Sequence, residues 1–168
     1  MKTLLPLSLL AAFLSVSALP ARSAQPDFLP VKQISLELAR DIAMASVDEC
    51  RQDGYNVAAV VLDRAGNVQV ALRDTLAARH TLEIAERKAG MTIMSGIASG
   101  EFLAARGDIR PELNHIDGLV VMEGGLPIRA AGSLIGAVGV SGAPGGEKDA
   151  ACAAAALKKL EERLEFSM

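Results

Sequence analysis

Two histidines occur in the 168 residues, His80 and His115. His80 immediately precedes Thr81, a residue able to cap a helix, and an imidazole at such an irregular position can point into a cleft and ligate haem iron axially. The plainer role of a surface loop histidine or a capping group is the reading favoured by position alone. His115, in a polar loop before an apolar stretch, has less to mark it. Downstream of His80, Glu83 and Lys88 bring acid/base groups to the same stretch, although charges on a helix most often form its solvated face. Gly124-Gly125-Leu126-Pro127-Ile128 places two residues without side chains and one without an N–H at a turn into a strand. That composition fits a tight hairpin, and it also lets a flat ligand or a neighbouring subunit approach the backbone closely.

Other chemistries find less in the sequence. No H-x-x-x-H or C-x-x-C occurs, so a dedicated zinc or iron cage is not expected. Gly139-Val140-Ser141-Gly142-Ala143 departs from the G-x-S-x-G nucleophile elbow at its last position, and Pro144 follows where a helix should begin. Gly142 to Lys148 is Gly-rich but lacks the P-loop spacing and its Ser/Thr. Cys50 and Cys152 could bridge in an oxidising compartment; the reading preferred from sequence is two small buried hydrophobes.

The elements that must position these groups follow from periodicity. Val31 to Gln52 carries Ile34, Leu38, Ile42 and Ala45 on one helical face, stopped by Asp53-Gly54. Val57 to Leu62 and Val68 to Leu72, joined through Asp63-Arg64-Ala65-Gly66-Asn67, form a hairpin. Thr81 to Met94 is a helix capped by Thr81, and a short helix starts at Ser99 with its hydroxyl as cap. Gly107 to Asn114, with Pro111, is expected as a loop. Leu119 to Met122, Leu126 to Ala130 and Ser133 to Ser141 are three further strands, too closely spaced for crossovers and therefore antiparallel. A last helix runs from Gly145-Gly146 to Glu165, its acids at the start and its lysines near the end. The expectation is an α+β domain: a five-stranded antiparallel sheet with helices covering one face.

Met1-Lys2, the interrupted apolar run Leu4 to Leu19 and the small residues Ala21 to Ala24 read as a signal peptide, residues 1–24, too short for a membrane span. Residues 25–168 then form a single exported domain, periplasmic or extracellular, with no stable membrane anchor. Loss of Lys2 and Arg22 would take the 17 basic residues to 15 against 20 acidic ones. An acidic chain without a basic patch argues against a nucleic-acid partner.

Several of these segments, in this order, resemble the GlcG/HbpS family of small haem-associated proteins, related to the PduO C-terminal domain. Val57 to Leu72 with its Asp63/Gly66 turn is similar to the family's strand, D-x-x-G turn and strand. His80 to Ala89 resembles its helix signature ending in Lys-Ala, and Gly124 to Ile128 its G-G-x-P-I. Gly136-Ala137-Val138-Gly139-Val140-Ser141-Gly142 followed by Asp149 is similar to its G-x-x-G-V-S-G…D. The resemblance implies a profilin-like sandwich on five antiparallel strands, homo-oligomers and, in some members, haem binding. Relatives with a histidine ligand carry it on the first helix, where Val31 to Gln52 has none, so a ligand must come from elsewhere in the chain. Gly90 stands where an aromatic is frequent, which removes a possible stacking wall.

Three functions are compatible with this reading. The first is an exported haem or tetrapyrrole binder, a sensor or scavenger, with His80 as axial ligand and a cleft lined by Thr81, Glu83, Lys88, Gly124, Gly125 and Pro127. The second is an enzyme or accessory protein acting on a small organic-acid metabolite through Glu83, Lys88 and a sheet-edge serine. The third is a non-catalytic oligomeric scaffold. Binding is expected ahead of catalysis, because no pair of titratable residues is forced together by spacing.

Overall fold

The computed structural model describes residues 27–165, and the signal peptide expected over residues 1–24 lies outside them. Residues 31–165 form an α+β unit in which helices α1 (Leu36–Gln52), α2 (Thr81–Ser95), α3 (Ser99–Arg106), α4 (Arg110–Leu113), α5 (Gly146–Lys159) and α6 (Glu161–Glu165) surround strands β1 (Ala58–Asp63), β2 (Val68–Arg73), β3 (Gly125–Ala130) and β4 (Ser133–Ser141). The strand order is β2-β1-β4-β3 and every pairing is antiparallel. β3 is an edge strand, which is where Pro127, unable to donate to a ladder, is tolerated.

Among the described residues the sheet has four strands, not the five expected. Leu119 to Met122 lies along α2 instead: Val120 N–H donates to the Arg87 carbonyl at 3.4 Å and Val121 N–H to Asn114 Oδ1 at 2.8 Å. Its donors are thus taken by a helix, a side chain and nearby carbonyls, Leu119 N–H donating to Ile116 and Met122 N–H to Val120. Gly90 makes this approach possible, because a Cβ there would strike the Gly118 carbonyl.

Helices cover both faces of the sheet, rather than one. Val57, Ala59 and Val61 pack with α1 and α5, while Ala58, Val60 and Leu62 pack with Ala85 and Ala89 of α2. A strand buried on both faces has no polar side to alternate with, which accounts for the unbroken apolar run in β1. α2 sits unusually close: a Cβ on Gly139 of β4 would collide with the Ala85 carbonyl and lie 2.9 Å from Ala89 N.

Local departures have local causes. α1 begins at Leu36 because Ser35 caps it, accepting from Leu38 N–H at 3.2 Å. Gly107 to Asn114 is helical rather than a loop, a 3-10 turn followed by α4 with Pro111 in its first turn, where a missing N–H costs nothing. The last helix is broken at Leu160 into α5 and α6. Cys50 of α1 and Cys152 of α5 are joined in a buried disulfide, Cα to Cα 5.3 Å, correcting the expectation of separate thiols.

Candidate functional site

Lys88 is among the largest fully buried side chains of the described residues. Helical spacing puts it one turn after Ala85 and beside Ala89, so it faces the sheet rather than water, and its side chain is 1% exposed. Its Nζ donates to Asp149 Oδ2 at 2.7 Å and to the Val140 carbonyl at 3.0 Å. Asp149, in the first turn of α5, also accepts from Ala143 N–H at 2.9 Å. Burial holds the Asp149 carboxyl above the ordinary carboxylate range, even with the Lys88 ammonium and the Ala143 N–H favouring its charge. A buried pair like this survives because its remaining hydrogen-bonding capacity is met by backbone groups.

Gly124 and Gly125 are packed against this pair. A Cβ on Gly124, whose φ is +125°, would come 2.7 Å from Lys88 Nζ, 2.8 Å from the Val140 carbonyl and 3.0 Å from Asp149 Cβ. One on Gly125 would strike the Lys88 carbonyl and lie 2.6 Å from Thr92 Oγ1, which is buried without a hydrogen-bond partner among the described residues. Gly125 N–H donates to Ser99 Oγ at 2.9 Å, so the Ser99 hydroxyl fastens the hairpin rather than capping α3. The glycines therefore admit neighbouring protein, and the cleft expected between α2 and the hairpin is closed within one chain.

The predicted residues thus fall into separate places. Lys88, Gly124 and Gly125 come together. Pro127 is half-buried and, with Arg129, Leu157 and Leu164, lines an open depression of about 630 Å³. His80, Thr81 and Glu83 lie at the start of α2, from about 12 Å of helix (His80) down to about 7 Å (Glu83) away from Lys88. Thr81 is the first helical residue, not the cap, and its hydroxyl donates to the Ala78 carbonyl at 2.6 Å. Glu83 is exposed and paired with Arg87 at 2.7 Å. His80 occupies the N-cap position without a side-chain capping bond, and its imidazole is exposed.

Sequence reasoning missed Asp149 as the partner of Lys88, offering the lysine as a solvated charge or as part of a ligand cleft and the aspartate as a helix-dipole acid. The signal available was an acid, Asp149, directly followed by an alanine-rich helix face. As a donor set for haem, the described residues fit on one count: His80 offers an exposed imidazole with no hydrogen-bond partner among them. They offer no porphyrin slot at Gly124-Gly125, so haem on a single chain would be held at the surface. Among the described residues there is no cluster of His, Cys, Asp or Glu suited to a bare metal ion.

Comparison with known proteins places this geometry in a family. The structure matches crystallised HbpS with a TM-score of 0.74 and 34% identity, over 82% of this chain and 98% of that one. It matches the protein ORFY of Klebsiella pneumoniae with a TM-score of 0.76 and 26% identity, over 83% and 98%. A crystallised PduOC:haem complex matches at 0.67 and 25% identity, over 76% and 94%. No curated protein matches the sequence at a significant level. The family model described as "Haem degrading protein HbpS-like" aligns with residues 34–158, from before α1 to the end of α5, and the chain belongs to that family.

Proposed function

We propose that this protein binds haem through His80, as an exported, homo-oligomeric member of the HbpS-like family with a profilin-like layering. The observation that carries the reading is the His80 imidazole itself, exposed and without a hydrogen-bond partner among the described residues, in a chain related to a haem complex. Neutral imidazole is the common axial ligand of haem iron, and bound haem would supply a redox-active iron centre that the side chains lack. Such a site serves sensing or scavenging.

Two further features support parts of this proposal. The Cys50–Cys152 disulfide suits an oxidising compartment and hence export to the periplasm or beyond. Exposed Met94, Ile116 and Met122 are apolar side chains that subunit contacts would cover. The organic-acid enzyme has less to draw on, since Lys88 is sealed against Asp149 and Glu83 is paired with Arg87.

The test is a haemin titration of residues 25–168 followed by absorbance, with size exclusion on the same sample. A saturable Soret shift near one haem per chain, lost or displaced in His80→Ala, is the expected result. Saturable binding with an unchanged spectrum in His80→Ala would overturn the ligand assignment, and nonspecific binding by the unsubstituted protein would overturn the function.

A further inference from the structure

The segment between β2 and α2 is built of two consecutive tight turns. Ala77 N–H donates to the Asp74 carbonyl at 3.0 Å, and Thr81 N–H to the Ala78 carbonyl at 3.1 Å. Their corners are Thr75-Leu76 and Arg79-His80, the positions from which side chains leave a turn. The frame is pinned from several sides. Arg51 on α1 forks onto the Asp74 carboxylate at 2.7 and 3.2 Å, and Thr75 N–H donates to the same carboxylate at 2.8 Å. The Arg73 guanidinium donates to the Asp74 and Ala77 carbonyls.

Against this fixed frame the corner side chains are unengaged. Leu76 is 80% exposed, a large apolar side chain held in water. Arg79 is exposed and its side chain makes no hydrogen bond or ion pair among the described residues, and the same holds for the His80 side chain. The nearest acid on α2, Glu83, is tied to Arg87 at 2.7 Å, so its charge is offset. Leu76 and His80 are four residues apart, at most about 14 Å even if the chain were extended. One flat macrocycle can therefore span all three.

We propose that Leu76, Arg79 and His80 form a single ligand surface for a flat, carboxylate-bearing tetrapyrrole, Arg79 pairing with a peripheral carboxylate and Leu76 covering the ring. This rests on the haem reading above and adds its orientation: the charged edge lies towards Arg79. A guanidinium suits that task because it presents parallel donors to a carboxylate and keeps its charge at every physiological pH.

The experiment compares haemin with haemin dimethyl ester, whose carboxylates are blocked, by Soret titration of residues 25–168, with Arg110→Gln on α4 as a surface control. The unsubstituted protein should prefer haemin to the ester about tenfold. Arg79→Gln should lose that preference while keeping its affinity for the ester, and Leu76→Ser should weaken both ligands alike. Far-UV circular dichroism checks the fold of each variant. Haemin binding left unchanged by both substitutions, or a loss matched by Arg110→Gln, overturns the surface while leaving haem binding intact. No saturable haemin binding by the unsubstituted protein overturns both.

Discussion

Lys88 and Asp149 meet at 2.7 Å between α2 and α5, with side chains 1% and 4% exposed, and Gly124 closes over their contact. The pair joins two helices on opposite faces of the sheet, held to the β4 backbone through the Val140 carbonyl. Removing either partner strands a buried charge. Asp149→Ala or Lys88→Met alone should cost about 3–5 kcal/mol, and the double variant Lys88→Met/Asp149→Leu clearly less than the sum. Urea unfolding of the four proteins measures this. Single substitutions costing under about 1 kcal/mol would show that the pair is solvated.

Two glycines with positive φ separate crowding from backbone strain. At Gly54, φ +80°, an added Cβ meets nothing within 4 Å, so Gly54→Ala should cost only the left-handed penalty of about 1 kcal/mol. Gly124→Ala adds collisions with Lys88 Nζ and the Val140 carbonyl and should cost at least about 2 kcal/mol more. Equal losses for the two in denaturant titrations would place the whole cost in the backbone.

Asp63 contributes to the acid limb of stability, as do other carboxyls held below the ordinary range such as Asp74. Burial raises the Asp63 carboxyl, but donation from the Asn67 side chain and from the backbone N–H groups of Asn67, Ala65 and Gly66 outweighs this and holds it below the ordinary range. A depressed carboxyl stabilises the fold above its unfolded pKa of about 3.9, and that contribution is lost as pH falls through the lower folded value. Asp63→Asn should therefore lose about 1–2 kcal/mol at pH 7 and progressively less below about pH 4. A deficit that stays constant down to pH 2.5 would contradict the assignment.

The Cys50–Cys152 bridge closes a loop of 102 residues between α1 and α5. The double substitution to alanine should lower stability by about 2–5 kcal/mol, seen as a shift in the urea midpoint. An unmoved midpoint would mean that the helix packing around Ile42, Ala43 and Ala153 suffices alone.

Ala131, at the β3–β4 turn, has φ +47°, a conformation that costs an alanine about 1–2 kcal/mol. Ala131→Asn should stabilise by about 0.5–1 kcal/mol in thermal unfolding, since asparagine tolerates this region in a two-residue hairpin. A lower midpoint would mean that the methyl group does packing work along the depression it lines.

What the sequence determined by itself was most of what depends on short-range periodicity, the short helical turns over residues 107–113 and the break at Leu160 excepted. The β1–β2 hairpin, α2 from Thr81, α3 from Ser99 and the β3–β4 pair stand where apolar spacing and turn residues put them, and the ordered motifs identified the family. Tertiary structure decided the rest. Leu119 to Met122 has the composition of a strand, but backbone donors take whichever acceptors lie nearby, and here those included Arg87 and Asn114. Lys88 reads as one more surface charge until α2 is laid against the sheet, because its partner Asp149 is 61 residues away. The two cysteines look like independent hydrophobes until α1 and α5 share a face. Pairings across long separations depend on how layers stack, and the spacing of residues along one element carries no record of that stacking.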